Sequence, residues 1–364
     1  MQFHTFHLAH WPEGWTQAQV YKYELDLIQY AEDLGFDGVW LAEHHFRRYG
    51  IIPSIMPFAG FVAARTTKVK IGTAIVVVPF HNPIRAAEEA AMIDLLSNGR
   101  LMYGFGRGYQ AVEFQGFNMA LSESRERTDE AIEIMKMAWT NDEFSYNGKY
   151  TKVENVNVQP KPVQKGGPPL WTASVSPETI GHYAKKGIPF ISDPISTFGR
   201  NKRASEEWKQ TAAANGHKVD KPNFGTLRGL IIGETEGEAL ALAEKSWKAQ
   251  QDNNLINQQS APVEKTGEFA AGYYYWKDRY LGANKQLDSN FFWERTWIAG
   301  DPERVIRIIR DLESWGFEHM LFTLGHYPTF TLEENKRRLK IFADNVMPEF
   351  RKKAVAAPAA TKAR

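Results

Sequence analysis

The stretch LGFDGVWLAEHHF, residues Leu34–Phe46, joins the end of one expected helix to a strand and a polar cluster. Apolar residues recur at helical spacing through Gln17–Leu34, and Gly35 is the residue type that commonly ends a helix. The short apolar run Gly38–Ala42 then predicts a buried strand, and the polar sequence EHH follows it. A helix, a tight turn and a buried strand in this order indicate one unit of an α/β fold.

The same alternation of short apolar runs and longer amphipathic stretches continues along the chain. The other expected strands are Gln2–Leu8, Val69–Val78, Leu101–Phe105, Pro169–Ala173, Pro189–Ser192, Gly225–Ile232 and His319–Thr323. About eight strand–helix units suit a (β/α)₈ TIM barrel with insertions, and the length of 364 residues fits it. A doubly wound open sheet has the same alternation, so the pattern leaves that fold as the alternative.

One internal stretch and the C-terminal residues do not follow this alternation. Residues 252–292 are polar and then aromatic, with the sequence YYYW at Tyr273–Trp276. We expect an insertion or lid there, and an irregular surface connection is the alternative. Residues 351–364 are rich in Ala and Lys and are expected to form a disordered tail. Residues 1–350 are therefore predicted to form a single domain.

The composition excludes several classes of protein. The chain has no Cys, which rules out disulfides, thiolate metal sites and a Cys nucleophile. A net charge of +1 provides no general attraction to nucleic acid or to an anionic membrane surface. His4, His7 and His10 alternate in direction on a strand and lack a carboxylate cluster, so no metal site is predicted. These observations favour a cytoplasmic enzyme that acts on small molecules.

Two short sequences at expected strand ends carry groups suited to catalysis or binding. AEHHF ends the strand Gly38–Ala42, and the carboxyl ends of barrel strands form the catalytic rim. Imidazole groups such as those of His44 and His45 are suited to acid–base chemistry, but the two side chains point to opposite sides of an extended chain. GFGRG, residues Gly104–Gly108, places Arg107 among glycines where the backbone and the guanidinium can approach an anion. A glycine-lined turn with a surface Arg is the alternative for that sequence.

A third sequence, ASVSPET at Ala173–Thr179, predicts the start of a helix after a strand. Ser176 is a suitable N-cap, and Pro177 suits the first helical position. The hydroxyl groups of Ser176 and Thr179, together with free backbone N–H groups, would suit a phosphate. Ordinary helix capping explains the same residues, so both interpretations stay open at this point.

Ordered segments along the chain resemble the bacterial luciferase-like, flavin-dependent monooxygenases, the family of the luciferase α subunit. The segments that carry the resemblance are LGFDGVWLAEHHF (Leu34–Phe46), VKIGTAIVVVPFHNPIRAAEE (Val69–Glu89), LLSNGRLMYGFGRG (Leu95–Gly108), GGPPLWTASVSPET (Gly166–Thr179), AKKGIPF (Ala184–Phe190) and GDPERVIRIIRDLESWGFEHM (Gly300–Met320). The similarity extends over residues 1–350 and is weakest in 252–292. It implies a TIM barrel with a flavin lying across the carboxyl ends of the strands.

The resemblance also implies roles for individual residues. The positions that match the family's FMN phosphate site are Arg107, Ser176 and Thr179. The positions that match the segment packed against the isoalloxazine, where the family often has a non-proline cis peptide, are Thr73, Ala74 and Ile75. His44 matches the family's catalytic base, and Glu43 and His45 are its neighbours.

Five further residues concern the substrate pocket. From their positions at the rim, we expect Phe6, Trp40 and Tyr109 to form walls of that pocket. Gly106 stands where luciferase has a reactive Cys beside the flavin, and Pro194 replaces a pocket Trp. The pocket is therefore expected to differ in shape, with space opened at Gly106, and neither light emission nor a long-chain aldehyde substrate is expected.

These implications predict a two-component monooxygenase. A separate NAD(P)H:flavin reductase would deliver reduced FMN (FMNH₂), which reacts with O₂ to give a C4a-(hydro)peroxide that oxygenates a small, largely apolar organic substrate. An F420-dependent hydride-transfer enzyme of the same fold and a non-catalytic flavin-binding protein are the alternatives. The resemblance favours a homodimer formed by barrel helices, for which the apolar helix expected at Ile55–Arg65 is suited.

Overall fold

The computed structural model describes residues 1–174, 176–252, 261–263, 266–269, 273, 288–325 and 329–351. Its strands are β1 (Gln2–His7), β2 (Gly38–Leu41), β3 (Lys70–Thr73), β4 (Val76–Val77), β5 (Leu101–Gly106), β6 (Phe144–Asn147), β7 (Lys152–Val156), β8 (Leu170–Ala173), β9 (Phe190–Ser192), β10 (Phe224–Ile232), β11 (Ile298–Gly300) and β12 (Phe317–Thr323). β6 and β7 form a separate antiparallel hairpin.

The parallel strands close into a ring. Its order is β1, β2, β3, β5, β8, β9, β10, β12 and back to β1, while β4 pairs with β5 and β11 pairs with β10. The pairing of β9 with β10, through Gly225 with Ile191 and Thr226 with Ser192, closes the barrel. Because a closed ring has no edge strand, the predicted (β/α)₈ TIM barrel is confirmed and the open doubly wound sheet is excluded.

Helices surround the ring. They are α1 (Gln17–Asp33), α2 (Ile55–Arg65), α3 (Pro83–Leu96), α4 (Ala111–Gly116), α5 (Ser124–Thr140), α6 (Pro177–Ala184), α7 (Phe198–Ala214), α8 (Glu236–Asp252), α9 (Ser289–Arg295), α10 (Pro302–Ser314), α11 (Leu332–Asn345) and α12 (Met347–Arg351). The sequence pattern did not predict α4 or β11, since elements of six and three residues are too short to show a period. No described helix is long and apolar enough to cross a membrane.

The run Val69–Val78, expected as one strand, is interrupted in the structure. β3 ends at Thr73 and β4 begins at Val76, and the Ala74–Ile75 peptide between them is cis. The cis bond implied by the family resemblance is thus present in the structure. The interruption places Ala74 and Ile75 at the barrel mouth instead of in a continuous ladder.

Large aromatic side chains fill the interior of the barrel below its mouth. Trp40 packs edge-to-face on Trp171, with ring centroids 5.7 Å apart, and both residues are buried. A Cβ atom at Gly72 would lie 2.2 Å from Trp40 Cδ2, so the indole needs glycine at that position. In the same interior, His4 Nε2 lies 2.9 Å from His319 Nδ1. Burial lowers the pKa of His319 to about 4, so this imidazole is neutral at neutral pH.

The insertion and the tail are described only in part. Residues 253–260 and 274–287, together with several neighbours, lie outside the described residues, and so do residues 352–364 of the expected disordered tail. Arg351, expected in that tail, is instead the last residue of α12. Within the insertion, Tyr273 and α9 are described, and both contact the barrel mouth. The assignment of residues 1–350 to one domain stays a prediction.

Candidate active site

A cavity of about 310 Å³ lies at the carboxyl ends of the barrel strands. Each strand of the closed ring or the loop after it contributes to the lining; one contributor from each is Phe6, His44, Ile75, Arg107, Ser176, Asp193, Leu227 and Thr323. Phe292 and Trp297, which flank the C-terminal part of α9, cover one side. This mouth is where the sequence analysis expected the site, because parallel barrel strands all end there.

His44 lies in the cavity wall and is held from behind by a carboxylate. Its Nδ1 lies 3.0 Å from Glu113 Oε1, and the amide nitrogen of Gln110 lies 3.0 Å from the same Nδ1. An ionised carboxylate only accepts hydrogen bonds, so Nδ1 carries the hydrogen that Glu113 accepts, and the Gln110 amide nitrogen, which could donate only to a bare Nδ1, forms no hydrogen bond with it in this tautomer. In the neutral imidazole this leaves the lone pair on Nε2, the arrangement that a general base requires.

Glu113 and Gln110 are site residues that sequence reasoning missed. Glu113 lies on α4, and Gln110 is the residue before that helix; both are buried. Glu113 Oε1 also accepts a hydrogen bond of 3.0 Å from the backbone N–H of His45. The one available signal was an acidic residue close after GFGRG, and nothing in that spacing pointed to His44.

Glu43 and His45 do not share the role of His44. The buried Glu43 carboxylate accepts hydrogen bonds from His45 Nε2 at 3.0 Å, from His81 Nε2 at 3.0 Å and from the backbone N–H of Val77 at 3.1 Å. It therefore ties β2 to β4 directly after the cis peptide. His45 is buried, does not line the cavity and packs edge-to-face on Phe117. Glu43 does line the cavity, but its oxygens are already engaged by these donors.

The environment of Glu43 changes two pKa values. Burial alone would raise the pKa of the Glu43 carboxyl, but the hydrogen bonds and charges of His45 and His81 outweigh it and hold that pKa below its ordinary value. For His81, burial acts to lower the pKa, and the bond to Glu43 overcomes that effect and raises it. Glu43 and His81 are therefore both charged over a wider pH range than the same two groups would be in isolation.

Hydroxyl groups at the start of α6 form another part of the cavity lining. Ser176 caps this helix by accepting from the Thr179 N–H at 3.3 Å and donates to Thr179 Oγ1 at 2.8 Å. Arg125 Nη2 also donates to Thr179 Oγ1, at 3.0 Å. With both acceptor positions used, the Thr179 hydroxyl hydrogen is left to donate to another group.

Two guanidinium groups adjoin these hydroxyls. Arg107 lines the cavity, with Cζ 4.1 Å from the centre of the Tyr273 ring. Burial lowers the pKa of Arg107, and the charge of Arg125 acts in the same direction. Arg125 forms an ion pair of 3.0 Å with Glu178, while its buried Nη1 has no hydrogen-bond partner among the described residues.

We call Arg107, Arg125, Ser176 and Thr179 the anion site. Two neighbouring cations, a buried N–H donor without a partner, a free hydroxyl hydrogen and a helix N-terminus fit a phosphate group, because each supplies positive charge or a donor. Arg107, Ser176 and Thr179 were expected here, whereas Arg125 was missed. Its place depends on how α5 packs beside α6, and no local sequence pattern encodes that contact.

The floor of the cavity contains the residues expected to face the flavin ring, with one difference. Ala74, Ile75 and Gly106 line the cavity. Thr73 is buried beneath them and donates from Oγ1 to the Gly104 carbonyl at 2.6 Å. Thr73 can therefore support the floor but does not form its surface.

Gly106 does not open space as expected. A Cβ atom at this position would lie 2.2 Å from Ile75 Cδ1, so the Ile75 side chain occupies the room that a larger residue would use. The expectation of added space is therefore wrong, and the reason is the close packing of Ile75 on the β5 backbone.

Three of the four residues expected in the pocket wall line the cavity, and one does not. Phe6, Tyr109 and Pro194 line the cavity. Trp40 does not line it, because its side chain points into the barrel interior and is fully buried, so its assignment to the pocket wall is corrected. Additional lining residues that the sequence did not indicate are Leu8, Tyr49, Ile191, Ile195, Leu227, Ile231, Phe292 and Trp297.

The three N-terminal His residues have separate surroundings. His4 pairs with His319 inside the barrel, while His7 Nδ1 lies 2.7 Å from Glu24 Oε2. Among the described residues, no three His, Asp or Glu side chains are placed to hold a metal ion.

Comparisons with known sequences identify relatives along the chain. The family model for luciferase-like monooxygenases matches residues 1–319. The alkanal monooxygenase alpha chain of Photorhabdus laumondii subsp. laumondii is 25% identical over 362 residues, covering 97% of this chain and 99% of the relative. The oxygenase component of the flavin-dependent trigonelline monooxygenase of Acinetobacter baylyi is 26% identical, covering 96% of each chain.

Solved structures share the fold at lower identity. The oxygenating constituent of 3,6-diketocamphane monooxygenase from Pseudomonas putida, solved with FMN, has a TM-score of 0.77 and 16% identity, covering 96% of this chain and 98% of the other. An F420-dependent secondary alcohol dehydrogenase has a TM-score of 0.71 and 19% identity, with 95% and 98% coverage. The fold alone thus does not separate the two cofactors. The family model decides the family: the chain is an enzyme of the luciferase-like monooxygenase family.

Proposed function

We propose that this chain is the oxygenase component of a two-component monooxygenase that uses reduced FMN and O₂ to oxygenate a small, largely apolar organic substrate. A separate NAD(P)H:flavin reductase would supply the reduced flavin. The relative from Acinetobacter baylyi, an oxygenase component named as flavin-dependent, supports this assignment. The observation that carries it is that Arg107, Ser176 and Thr179 of the anion site line the same cavity as His44, while Arg125 is bonded to Thr179.

The anion site would hold the FMN phosphate, and the cis segment would support the ring. Arg107 and Arg125 provide charge, while Ser176 and Thr179 provide hydroxyl groups. Ala74 and Ile75 line the floor between that site and His44. When bound, the reduced flavin supplies the chemistry that activates O₂ and transfers one oxygen atom.

The protein's own part is to manage protons and water. With Nδ1–H held by Glu113, His44 can take or return a proton at Nε2. Phe6, Leu227 and Trp297 line the cavity with apolar surface, which disfavours water near the reacting atoms. Tyr273 and Phe292, described residues of the stretch 252–292, line the same cavity and add to this apolar cover.

Product analysis tests this proposal against both alternatives. The protein is incubated with a flavin reductase, NADH, FMN, ¹⁸O₂ and a panel of apolar ketones, aldehydes and heteroaromatics. Mass spectrometry should show one ¹⁸O in a product, and His44→Ala should lose the product while still binding FMN. Turnover with reduced F420 in the absence of O₂ would establish the hydride-transfer alternative instead. Flavin binding with no product or oxygen uptake across the panel would leave a flavin-binding protein.

We also propose a homodimer built on α2 and α3. Apolar side chains on these adjacent helices face solvent, with Phe61 at 49%, Met92 at 47% and Leu96 at 69% exposure. An apolar patch on neighbouring helices is typical of a helix–helix interface between subunits. Leu96→Glu should shift the mass measured by light scattering from dimer to monomer. Leu240→Glu on α8, another exposed Leu, is the control and should leave the dimer intact.

A further inference from the structure

Tyr273 is a buried residue contributed to the barrel mouth by the insertion 252–292. It is 1% exposed and belongs to the YYYW sequence that no barrel element explains. Its ring packs in an apolar cluster with Ala111, Phe114 and Leu121. A tyrosine buried this deeply needs partners for its hydroxyl group, and the structure provides two.

The Tyr273 hydroxyl joins the two chain segments that carry the guanidinium groups. It donates to the carbonyl of Gly108 at 2.7 Å and lies 2.9 Å from Ser124 Oγ. Because its hydrogen is directed to that carbonyl, it accepts the bond from Ser124. Gly108 follows Arg107 directly, and Ser124 precedes Arg125. One hydroxyl group therefore binds the backbone after Arg107 and the side chain before Arg125.

The ring of Tyr273 acts on Arg107 as well. The guanidinium carbon lies 4.1 Å from the ring centre, within the range of a favourable cation–π contact. Arg107 and Arg125 are neighbouring cations and repel each other. The electron-rich face of the Tyr273 ring offsets part of this unfavourable free energy at Arg107. The hydrogen bonds of the hydroxyl group and the cation–π contact of the ring both hold the Arg107 guanidinium in place before an anion binds. Binding an anion then needs less reorganisation of the site.

We propose that Tyr273 is a cofactor-positioning residue: it fixes the separation of Arg107 and Arg125 and thereby makes flavin affinity depend on the phosphate. This inference rests on the proposed function, because it takes the anion site to hold the FMN phosphate. It assigns Tyr273, one described residue of the stretch 252–292, a direct part in cofactor selection.

Flavin fluorescence titrations with oxidised FMN and with riboflavin test the inference. Tyr273→Phe removes both hydrogen bonds but keeps the ring, and Tyr273→Leu removes both features. We expect the Kd for FMN to rise roughly tenfold in Tyr273→Leu and less in Tyr273→Phe, with the Kd for riboflavin within about twofold of the wild type. Inorganic phosphate should compete with FMN more weakly in both variants. Equal losses for FMN and riboflavin would overturn the inference, since they would indicate general damage to the cavity.

A matched control exists on the surface. The Tyr150 ring lies 4.2 Å from Arg127 Cζ and its hydroxyl bonds Glu126, so it offers an arginine–tyrosine contact of the same kind away from the cavity. Tyr150→Leu should change neither Kd. Thermal melting of Tyr273→Phe and Tyr273→Leu shows that the proteins compared are folded.

A double-mutant cycle separates this inference from the proposed function. In an Arg107→Gln background, Tyr273→Leu should raise the Kd for FMN by a clearly smaller factor than in the wild type, because only the route through Ser124 and Arg125 is left to it. A full, additive loss there would overturn the inference and leave the anion site standing. If Arg107→Gln alone leaves the ratio of the FMN and riboflavin Kd values unchanged, the phosphate assignment itself fails and the inference fails with it.

Discussion

Glu113 Oε1 lies 3.0 Å from His44 Nδ1, and the same oxygen accepts the backbone N–H of His45. One buried carboxylate thus fixes both the tautomer of the cavity-facing His and the backbone that carries it. This arrangement fixes the orientation of Nε2 and the tautomer of the imidazole, and acid–base catalysis requires both. In the proposed function, Glu113 acts through His44 and is a positioning residue.

Glu113→Gln should reduce kcat about 10- to 100-fold, because the amide no longer stabilises a protonated His44 by charge. The Kd for oxidised FMN should stay within about twofold, since Glu113 is not part of the anion site. Stopped-flow product formation and flavin titration measure the two quantities. Glu123→Gln, which removes a surface ion pair with Arg127, is the control. A variant that loses FMN affinity in proportion to kcat would show that Glu113 only maintains the cavity.

Arg125→Gln should raise the Kd for FMN at least about tenfold and leave that for riboflavin unchanged, since a charged donor next to a phosphate is lost. Arg127→Gln is the matched control, because Arg127 lies on the same helix and contacts Tyr150 and Glu123. Equilibrium titration of the four protein–flavin pairs provides the measurement. An unchanged FMN affinity in Arg125→Gln would remove this residue from the anion site.

Gly106→Ala should destabilise the protein by about 1 kcal/mol, because the added Cβ would meet Ile75 Cδ1 at 2.2 Å, and the end of that side chain can rotate into the cavity it lines. Ile75→Ala in the same chain should recover most of the loss, since it removes the clashing atoms. Urea unfolding of the wild type, both single variants and the double variant measures the coupling. Additive free energies of unfolding would mean that the two side chains do not compete for this space.

The fold and part of the site were predictable because their signals are local in sequence. Short apolar runs report strands, and the pair Ser176–Pro177 reports a helix start by capping chemistry alone. The position of His44 at a strand end follows from the same reading. The resemblance to a family added the phosphate-binding role of Arg107 and the cis peptide at Ala74–Ile75. Hydrophobic periodicity indicates neither of these features.

The remaining features depend on contacts between distant residues. Glu113 meets His44 across 69 positions of sequence, and Arg125 meets Thr179 across 54. Trp40 was misplaced because a rim position does not say whether a side chain points up or down; Gly72 leaves room for the indole below the mouth. Such contacts follow from barrel closure and helix packing, which local pattern does not encode.

Glu43→Gln should destabilise the protein most between pH 4.5 and pH 6.5. These limits are the ordinary pKa values of Glu43 and of His81, which pair with each other in the folded protein. The lowered pKa of Glu43 gives stability that is present above 4.5 and lost as pH falls through the folded-state value. The raised pKa of His81 gives stability that is present below 6.5 and lost as pH rises through its folded-state value. Both contributions are complete only in that window.

We expect a loss of about 2 kcal/mol in the free energy of unfolding at pH 5.5, because the amide accepts weaker hydrogen bonds than the carboxylate and pairs with no charge. The loss should be smaller at pH 8.5, because His81 loses its proton as the pH rises through its raised folded-state pKa. Urea unfolding of wild type and Glu43→Gln at the two pH values gives the difference, and the buried His4–His319 pair contributes equally to both proteins. A loss that is the same at both pH values would show that the hydrogen bond to Val77 N–H matters and the ion pair with His81 does not.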